Sequence, residues 1–499
     1  MGQKNFLLKV LGLSAGPRVI TSVLSLVTFP IMVKTLGAKE YGLFVFAGSF
    51  INILDSVFDF GVASAAGKSI AAYRDKASGE MSLLIRKWLP LQFKVSLLGM
   101  IPALVLVWLI STFAEFDNRE SLPIFLVCSS WFSVFLTFSR MSLTSLLKFK
   151  SLALLDTTES VLRNGGFILV SILFPYAEGL AIAQIGTAIL SSIFGFGLLL
   201  PYIRVKHFDR NLNNHFDHLK TKQMLLESLS FLWLRVITKG YRSLPLIIFG
   251  KIVSVELLGL IGAFDKIVTM LTLPFNIIGN ALSVKSKSIL DKGKMNAEKM
   301  WHVATKVSSV SLLLFFYVFL GSESFILFFL PEGEGFSEVV RILSFLFIFL
   351  SLSNVITPMS DFIGGLKQRN IFMTFMVCIQ CLLIYIGKII FGDIGAVTLY
   401  VSAIGIMSIG YLFIARRSFF NETKNILSND ILLFTSFLAI SAFCSWLISN
   451  YLLSNLDVFR GITKEAVTLL VFSILSGLLI VRNQKVNKSY LNRSFLEFD

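Results

Sequence analysis

Apolar stretches of about 18 residues or more recur from one end of the 499-residue chain to the other. As a helix rising 1.5 Å per residue, each is long enough to cross a hydrocarbon layer roughly 30 Å thick. The runs are continuous rather than alternating, which excludes a transmembrane β-barrel. Composition agrees: 55% of the residues are hydrophobic, and Phe (49) outnumbers Asp plus Glu (30). Mean hydropathy is +0.78. A water-soluble chain of this length needs far more polar surface. The expected fold class is therefore an all-α polytopic membrane protein.

About fourteen spans are expected, with limits near 10–33, 42–66, 88–113, 122–146, 159–176, 180–203, 230–250, 258–283, 303–321, 339–363, 371–391, 394–414, 431–453 and 464–481. The fifth is interrupted near its start by Arg163, Asn164 and Gly165-Gly166. Alternate connections are rich in Lys and Arg, for example Lys68, Arg74, Arg86 and Lys87, then Arg204, Lys206 and Arg210, then Lys285, Lys287 and Lys292. The opposite connections are poor in Lys and Arg and often acidic, as at Glu323, Glu332, Glu334 and Glu338. The positive-inside rule makes the basic set, with both termini, cytoplasmic. Topology then accounts for most of the +15 net charge, and no nucleic-acid partner is needed. The first span lacks the short apolar core and small-residue cleavage site of a signal peptide, so it is expected to remain as a membrane helix.

The tetrapeptide Arg-Val-Ile-Thr occurs twice, from Arg18 and from Arg235. A shift of 217 residues superposes the two copies and also pairs Lys34 with Lys251, Gly42 with Gly259 and Leu54 with Leu271. Each copy reads as an Arg-bearing helix, a short turn and a return helix begun by Gly. Spans 1 and 7 leave the same side, so the repeat is parallel, about an axis along the membrane normal. The expected organisation is an N-terminal lobe over 1–205, a connection over 206–229, a C-terminal lobe over 230–415, and two appended spans with a tail over 416–499.

Charges inside spans need an account, because each costs at least about 2.5–3.5 kcal/mol near the bilayer centre. Arg235, Lys239 and Arg242 are spaced i, i+4, i+7 and form a cationic stripe on one face of span 7. Lipid would not tolerate that face, so the stripe is expected to line a water-filled cavity together with Arg18 and Arg140. Asp55, Asp59, Asp265, Lys266 and Asp361 are the candidate charge partners or coupling residues. Depth along the helices matches Arg18 with Asp55 or Asp59, and Arg242 with Asp265. Structural ion pairing is the competing reading throughout, with snorkelling for Arg140 and Arg235 and turn geometry for Asp59. The excess of cations suits an anionic cargo. Cys378 and Cys381 read as packing residues. His207, His215 and His218 with Asp209 and Asp217 read as a solvated linker rather than a metal site. Sequence motifs for nucleotide hydrolysis, zinc peptidases or serine hydrolases are lacking, so no enzyme is expected.

The stretch "LGAKEYGLFVFAGSFINILDSVFDFGVASAAGKSIAAYR" resembles the N-terminal signature of Wzx-type polysaccharide flippases. Its marks are Glu40-Tyr41-Gly42 at the start of span 2 and Asp59-Phe60-Gly61 at its close. "EGFSEVVRILSFLFIFLSLSNVI" is similar to the start of that family's span 10. The resemblance implies the two-lobe fold of the multidrug/oligosaccharidyl-lipid/polysaccharide exporter superfamily. It implies as cargo an undecaprenyl-pyrophosphate-linked oligosaccharide, carried from the cytoplasmic to the periplasmic leaflet of a bacterial inner membrane. No cofactor is expected beyond coupling to a proton or sodium gradient. Partners would be membrane lipids, the polysaccharide polymerase and the chain-length machinery. The chain departs from the family at Tyr241-Arg242, where many relatives have Asp-Arg, and at Val284, where Pro is usual. A membrane polymerase or ligase and a multidrug cation antiporter stay open as alternatives.

Overall fold

In the computed structural model, residues 3–73, 78–113, 121–204, 221–280, 310–329, 336–362 and 366–420 are described. The regular elements among them are all helices: α1 (Gln3–Asp59), α2 (Val62–Tyr73), α3 (Ser78–Phe113), α4 (Ser121–Ser145), α5 (Phe149–Leu173), α6 (Ala177–Ile203), α7 (Thr221–Ile252) and α8 (Val255–Leu271). They continue with a short α9 (Leu273–Asn280), then α10 (Ser311–Leu320), α11 (Ser322–Phe329), α12 (Ser337–Phe362) and α13 (Leu366–Phe420). The expected spans near 431–453 and 464–481 lie outside the described residues, as do the histidines of the inter-lobe connection. Two compact units form, Met1–Gly262 and Ala263–Asp499. Six of the described helices are long and apolar enough to cross a membrane, or seven if α8 and α9, bent by 45°, make one broken span.

Two of those helices each contain two spans. α1 is 57 residues long, which as one rod would measure about 85 Å. It is broken at Gly37, whose φ of 79° and ψ of 167° lie outside the helical region. The Phe29 and Tyr41 rings stand 5.6 Å apart edge to face, whereas twelve residues of straight helix would separate them by about 18 Å. The chain therefore doubles back at Gly37, giving the expected spans 1 and 2. α13 does the same at Gly392 (φ 69°), and there the Phe372 and Tyr411 rings meet at 6.0 Å. Only Gly takes such a φ without strain.

α5 starts at Phe149, ten residues before the apolar run that marked the fifth span. Its first turns carry Asp156 and Glu159, and both carboxylates bond to Arg140 on α4. With those charges neutralised, the helix extends through residues that hydropathy assigned to a loop. Leu154, Val161, Leu169 and Ile172 are exposed along one side of α5 and form its lipid-facing line. In the first unit, α2, α3, α4 and α6 close around a core that includes Trp88, Leu84 and Phe138.

The repeat is visible in the packing of α1 on α8. A Cβ added to Gly42 would stand 2.1 Å from the Val255 carbonyl oxygen, and one added to Gly259 would stand 2.4 Å from the Ala38 carbonyl oxygen. The 217-residue shift carries Ala38 onto Val255 and Gly42 onto Gly259. Each contact is thus the other's image, as a twofold axis requires. Gly262 is also close to Val45, where a Cβ would meet Cγ1 at 2.5 Å, and the same shift relates those two positions. The N-terminal signature residues earn structural roles here. Glu40 accepts the backbone N–H of Ala177 at 3.0 Å, capping the first turn of α6; Tyr41 packs on Phe29; and Gly42 permits the crossing.

A bulkier residue at either glycine must push the two backbones apart. Gly42→Val and Gly259→Val are each expected to destabilise the purified chain by about 1–3 kcal/mol, as overpacking does. The readout is a lowered melting midpoint, with Gly48→Val, whose added Cβ meets nothing within 4 Å, as the neutral control.

Candidate functional site

α7 lies along the second half of α1, and charges join the two helices in register. Arg235 forms an ion pair with Asp59. One turn further along, Lys239 Nζ meets Asp55 Oδ2 at 2.7 Å. The acids are i, i+4 on α1 and the cations are i, i+4 on α7, so the helices meet as an antiparallel zipper. Asp59 is buried to 1% exposure and Arg235 keeps 24% of its side chain accessible. In a medium of low dielectric constant neither charge is tolerable without the other. The same register places Asn52 opposite Arg242, and both are exposed. Arg242 has no ion-pair partner among the described residues. The zipper is closed at two rungs and presents an uncompensated cation at the third.

Asp59 has a second task. Its Oδ2 accepts the Gly61 N–H at 3.0 Å and its Oδ1 the Ala63 N–H at 3.3 Å. It ends α1, spans the turn through Phe60 (φ 49°) and Gly61 (φ 76°), and caps α2. Gly61 lies flat against α7, where a Cβ would be 2.2 Å from the Ser228 carbonyl oxygen and 2.8 Å from the Leu232 nitrogen. The Asp-Phe-Gly motif is therefore the point where the α1–α2 break docks on α7. Asp55 differs in that its Oδ1 is buried and accepts no hydrogen bond among the described residues.

The partners differ from those expected on depth alone. Both carboxylates considered for Arg18 are engaged by α7, and the side chain of Arg18 lies outside the described residues, as does that of Asp361. Under the 217-residue shift Arg235 is the equivalent of Arg18, so the acid of the first repeat takes the arginine of the second. Arg235 is ion-paired with Asp59. Arg140 is paired as well, its Nε and Nη2 reaching Asp156 at 2.8 Å and Glu159 at 2.6 Å. Glu159 also faces Arg163 at 3.5 Å. Asp156 and Glu159 were not among the residues expected at a site: Asp156 falls before the expected fifth span and Glu159 at its first residue. Their signal is in the sequence all the same: two acids one turn apart, then Arg163 one turn on. Arg242 falls in the first unit and Asp265 and Lys266 in the second; Asp265 is half-buried and Lys266 exposed. Among the described residues no cluster of three or more His, Cys, Asp or Glu could hold a metal ion.

Comparisons with known proteins follow this geometry. The fold is similar to that of the lipid II flippase MurJ in an inward closed conformation, with a TM-score of 0.65 at 16% identity, covering 97% of this chain and 100% of that one. It is similar to an inward-facing multidrug resistance MATE family transporter of the MOP superfamily, with a TM-score of 0.62 at 17% identity, over 80% of this chain and 94% of that one. A MOP superfamily transporter from Pyrococcus furiosus, for which reversed polarity of the binding pocket suggested a different function, gives 0.53 at 16% identity, over 82% and 95%. At such identities the likeness concerns the fold, which is that of a multi-pass helical membrane transporter. No curated protein sequence matches the chain. The pattern of one sequence family, described as polysaccharide biosynthesis protein, matches residues 8–284. That stretch is more than half of the chain and contains both the α1–α7 zipper and the Gly42–Gly259 crossing, and the chain belongs to the polysaccharide biosynthesis protein family.

Proposed function

We propose that the chain is a flippase for an undecaprenyl-pyrophosphate-linked oligosaccharide, moving it from the cytoplasmic to the periplasmic leaflet of a bacterial inner membrane by alternating access. The observation that carries this reading is the third rung of the zipper, where Arg242 is exposed with no ion-pair partner among the described residues. Membership of a polysaccharide biosynthesis family and the fold shared with a lipid II flippase support it.

A diphosphate is a strong, multidentate acceptor for Arg and Lys. Arg242 supplies the first contact. Lys239, 35% exposed and bound to Asp55 by a single oxygen, can exchange that carboxylate for a phosphate oxygen. Asp55 then lacks its cation, and a proton or sodium ion taking that place would link cargo to a gradient. Arg235, held by the more buried Asp59, keeps the α1–α2 break docked on α7. The lipid tail stays in the bilayer throughout. On arrival the oligosaccharide is available to a polymerase and its chain-length machinery. A multidrug cation antiporter would need an acid free to receive the drug, and on the zipper both acids are held by cations.

Arg242→Ala and Lys239→Ala, each confirmed to be present in the membrane, are expected to lower surface polysaccharide about tenfold or more. A lost charge-assisted hydrogen bond is worth about 1.5–3 kcal/mol, and 1.4 kcal/mol is a factor of ten. Wild-type polysaccharide levels in both variants would refute the cavity. Orientation is tested separately with His215→Cys and Gly333→Cys and a membrane-impermeant thiol reagent applied to intact cells. Residue 333 is expected to label and 215 to remain protected; labelling at 215 from outside reverses the assigned direction.

A further inference from the structure

The cluster of Arg140, Asp156, Glu159 and Arg163 on α4 and α5 has no part in the zipper, and its surroundings are unusual for a set of ion pairs inside a membrane protein. Their side chains keep 35%, 31%, 19% and 36% of their area accessible. At 100° per residue, Asp156, Glu159 and Arg163 centre about 180° round α5 from the lipid-facing line of Leu154, Val161, Leu169 and Ile172. One helix thus has two accessible faces, one apolar and one fully charged. Charges turned toward hydrocarbon would cost several kcal/mol. The charged face is thus accessible on the side of α5 opposite that apolar line. α4 continues that surface: Ser133, Thr137 and Arg140 are spaced i, i+4, i+7 and half-buried.

We infer that this charged face lines a water-filled recess within the first unit, and that the recess binds the saccharide portion of the cargo. The assignment rests on the flippase reading and follows from charge balance. Two arginines and two carboxylates cancel, so the cluster has no net attraction for a diphosphate, unlike the third rung of the zipper. It offers guanidinium N–H donors beside carboxylate acceptors, and a sugar hydroxyl both donates and accepts. Arg140 takes one oxygen from each acid, leaving lone pairs on both carboxylates for hydroxyl protons. The hydroxyls of Ser133 and Thr137 donate to their own helix, to the Ser129 and Ser133 carbonyls at 2.9 and 3.1 Å, so their lone pairs remain to accept. Hydrogen bonds in which one partner is charged are about twice as strong as neutral ones. Four charged groups fixed by their mutual bonds form a preorganised polar wall.

The test is binding to the purified full-length chain in detergent, with two probes: undecaprenyl pyrophosphate alone, and undecaprenyl-pyrophosphate-linked oligosaccharide extracted from the host cells. The wild-type chain should hold the saccharide-bearing lipid about tenfold or more tighter than the bare lipid, given about 1.5–3 kcal/mol per charged hydrogen bond. Glu159→Gln should bring the saccharide-bearing lipid down to the affinity of the bare one and leave the bare lipid unchanged. Arg163→Gln, which breaks only a long pair at 3.5 Å, should do the same while preserving the Arg140 bonds and hence the fold. If both variants retain the saccharide increment, or weaken both probes equally, the recess is a structural ion-pair network and the inference fails. A wild-type chain that binds both probes equally overturns the inference while sparing the flippase reading. A chain that binds neither overturns both.

Discussion

Hydrocarbon solvates neither charges nor polar backbone groups, and in this apolar chain two sets of four charged side chains are held on the helices by ion pairs. Arg235, Lys239, Asp55 and Asp59 answer the constraint by pairing across two helices. Arg140, Arg163, Asp156 and Glu159 answer it across two others. Each solution fixes geometry, because a charge in such a medium can leave its partner only for an equally good one. The zipper sets the register of α7 on α1. The α4–α5 cluster extends α5 by ten residues beyond its apolar run. What can bind, and where, then follows from which charges those pairings leave uncompensated.

The two charge systems are of different kinds. In the zipper the described residues offer Arg242 no acid, which gives that surface a local positive excess and a reason to attract an anion. In the α4–α5 cluster the balance is complete while the side chains remain accessible, which gives that surface polarity without net charge. A lipid-linked saccharide has two parts with the same division, a diphosphate and an uncharged or weakly charged run of hydroxyls. One continuous stripe of cations would hold the first part and gain little from the second.

Much of this was legible in the sequence. Hydropathy located the spans that α1, α3, α4, α6, α12 and α13 occupy, and the i, i+4, i+7 spacing located the stripe on α7. The 217-residue shift, read from Arg-Val-Ile-Thr and a few glycines, reappears as the reciprocal contacts of Ala38–Gly259 and Gly42–Val255. The partners of the charges were not legible. Depth along a helix does not choose a partner, and Asp59 is met by the helix that crosses it, α7, through Arg235. Asp156 and Glu159 were missed for a different reason: a hydropathy scale counts each carboxylate as solvent-seeking and has no means of crediting an arginine on the next helix. In the sequence the Glu-Tyr-Gly and Asp-Phe-Gly signatures are marks of a family resemblance. In the fold they are a helix cap, a ring contact, a bare crossing and a docked break.

The crossing of α1 and α8 at Gly42 and Gly259 has a mechanical consequence. Most helix pairs interlock through ridges of side chains seated in grooves, and that interlocking sets a preferred angle. Here the closest approach is backbone on backbone, held by weak contacts of the kind that small residues permit. Such a junction resists separation but offers no teeth against rotation. What fixes the helices around it is the pair of charged rungs that hold α7 on α1.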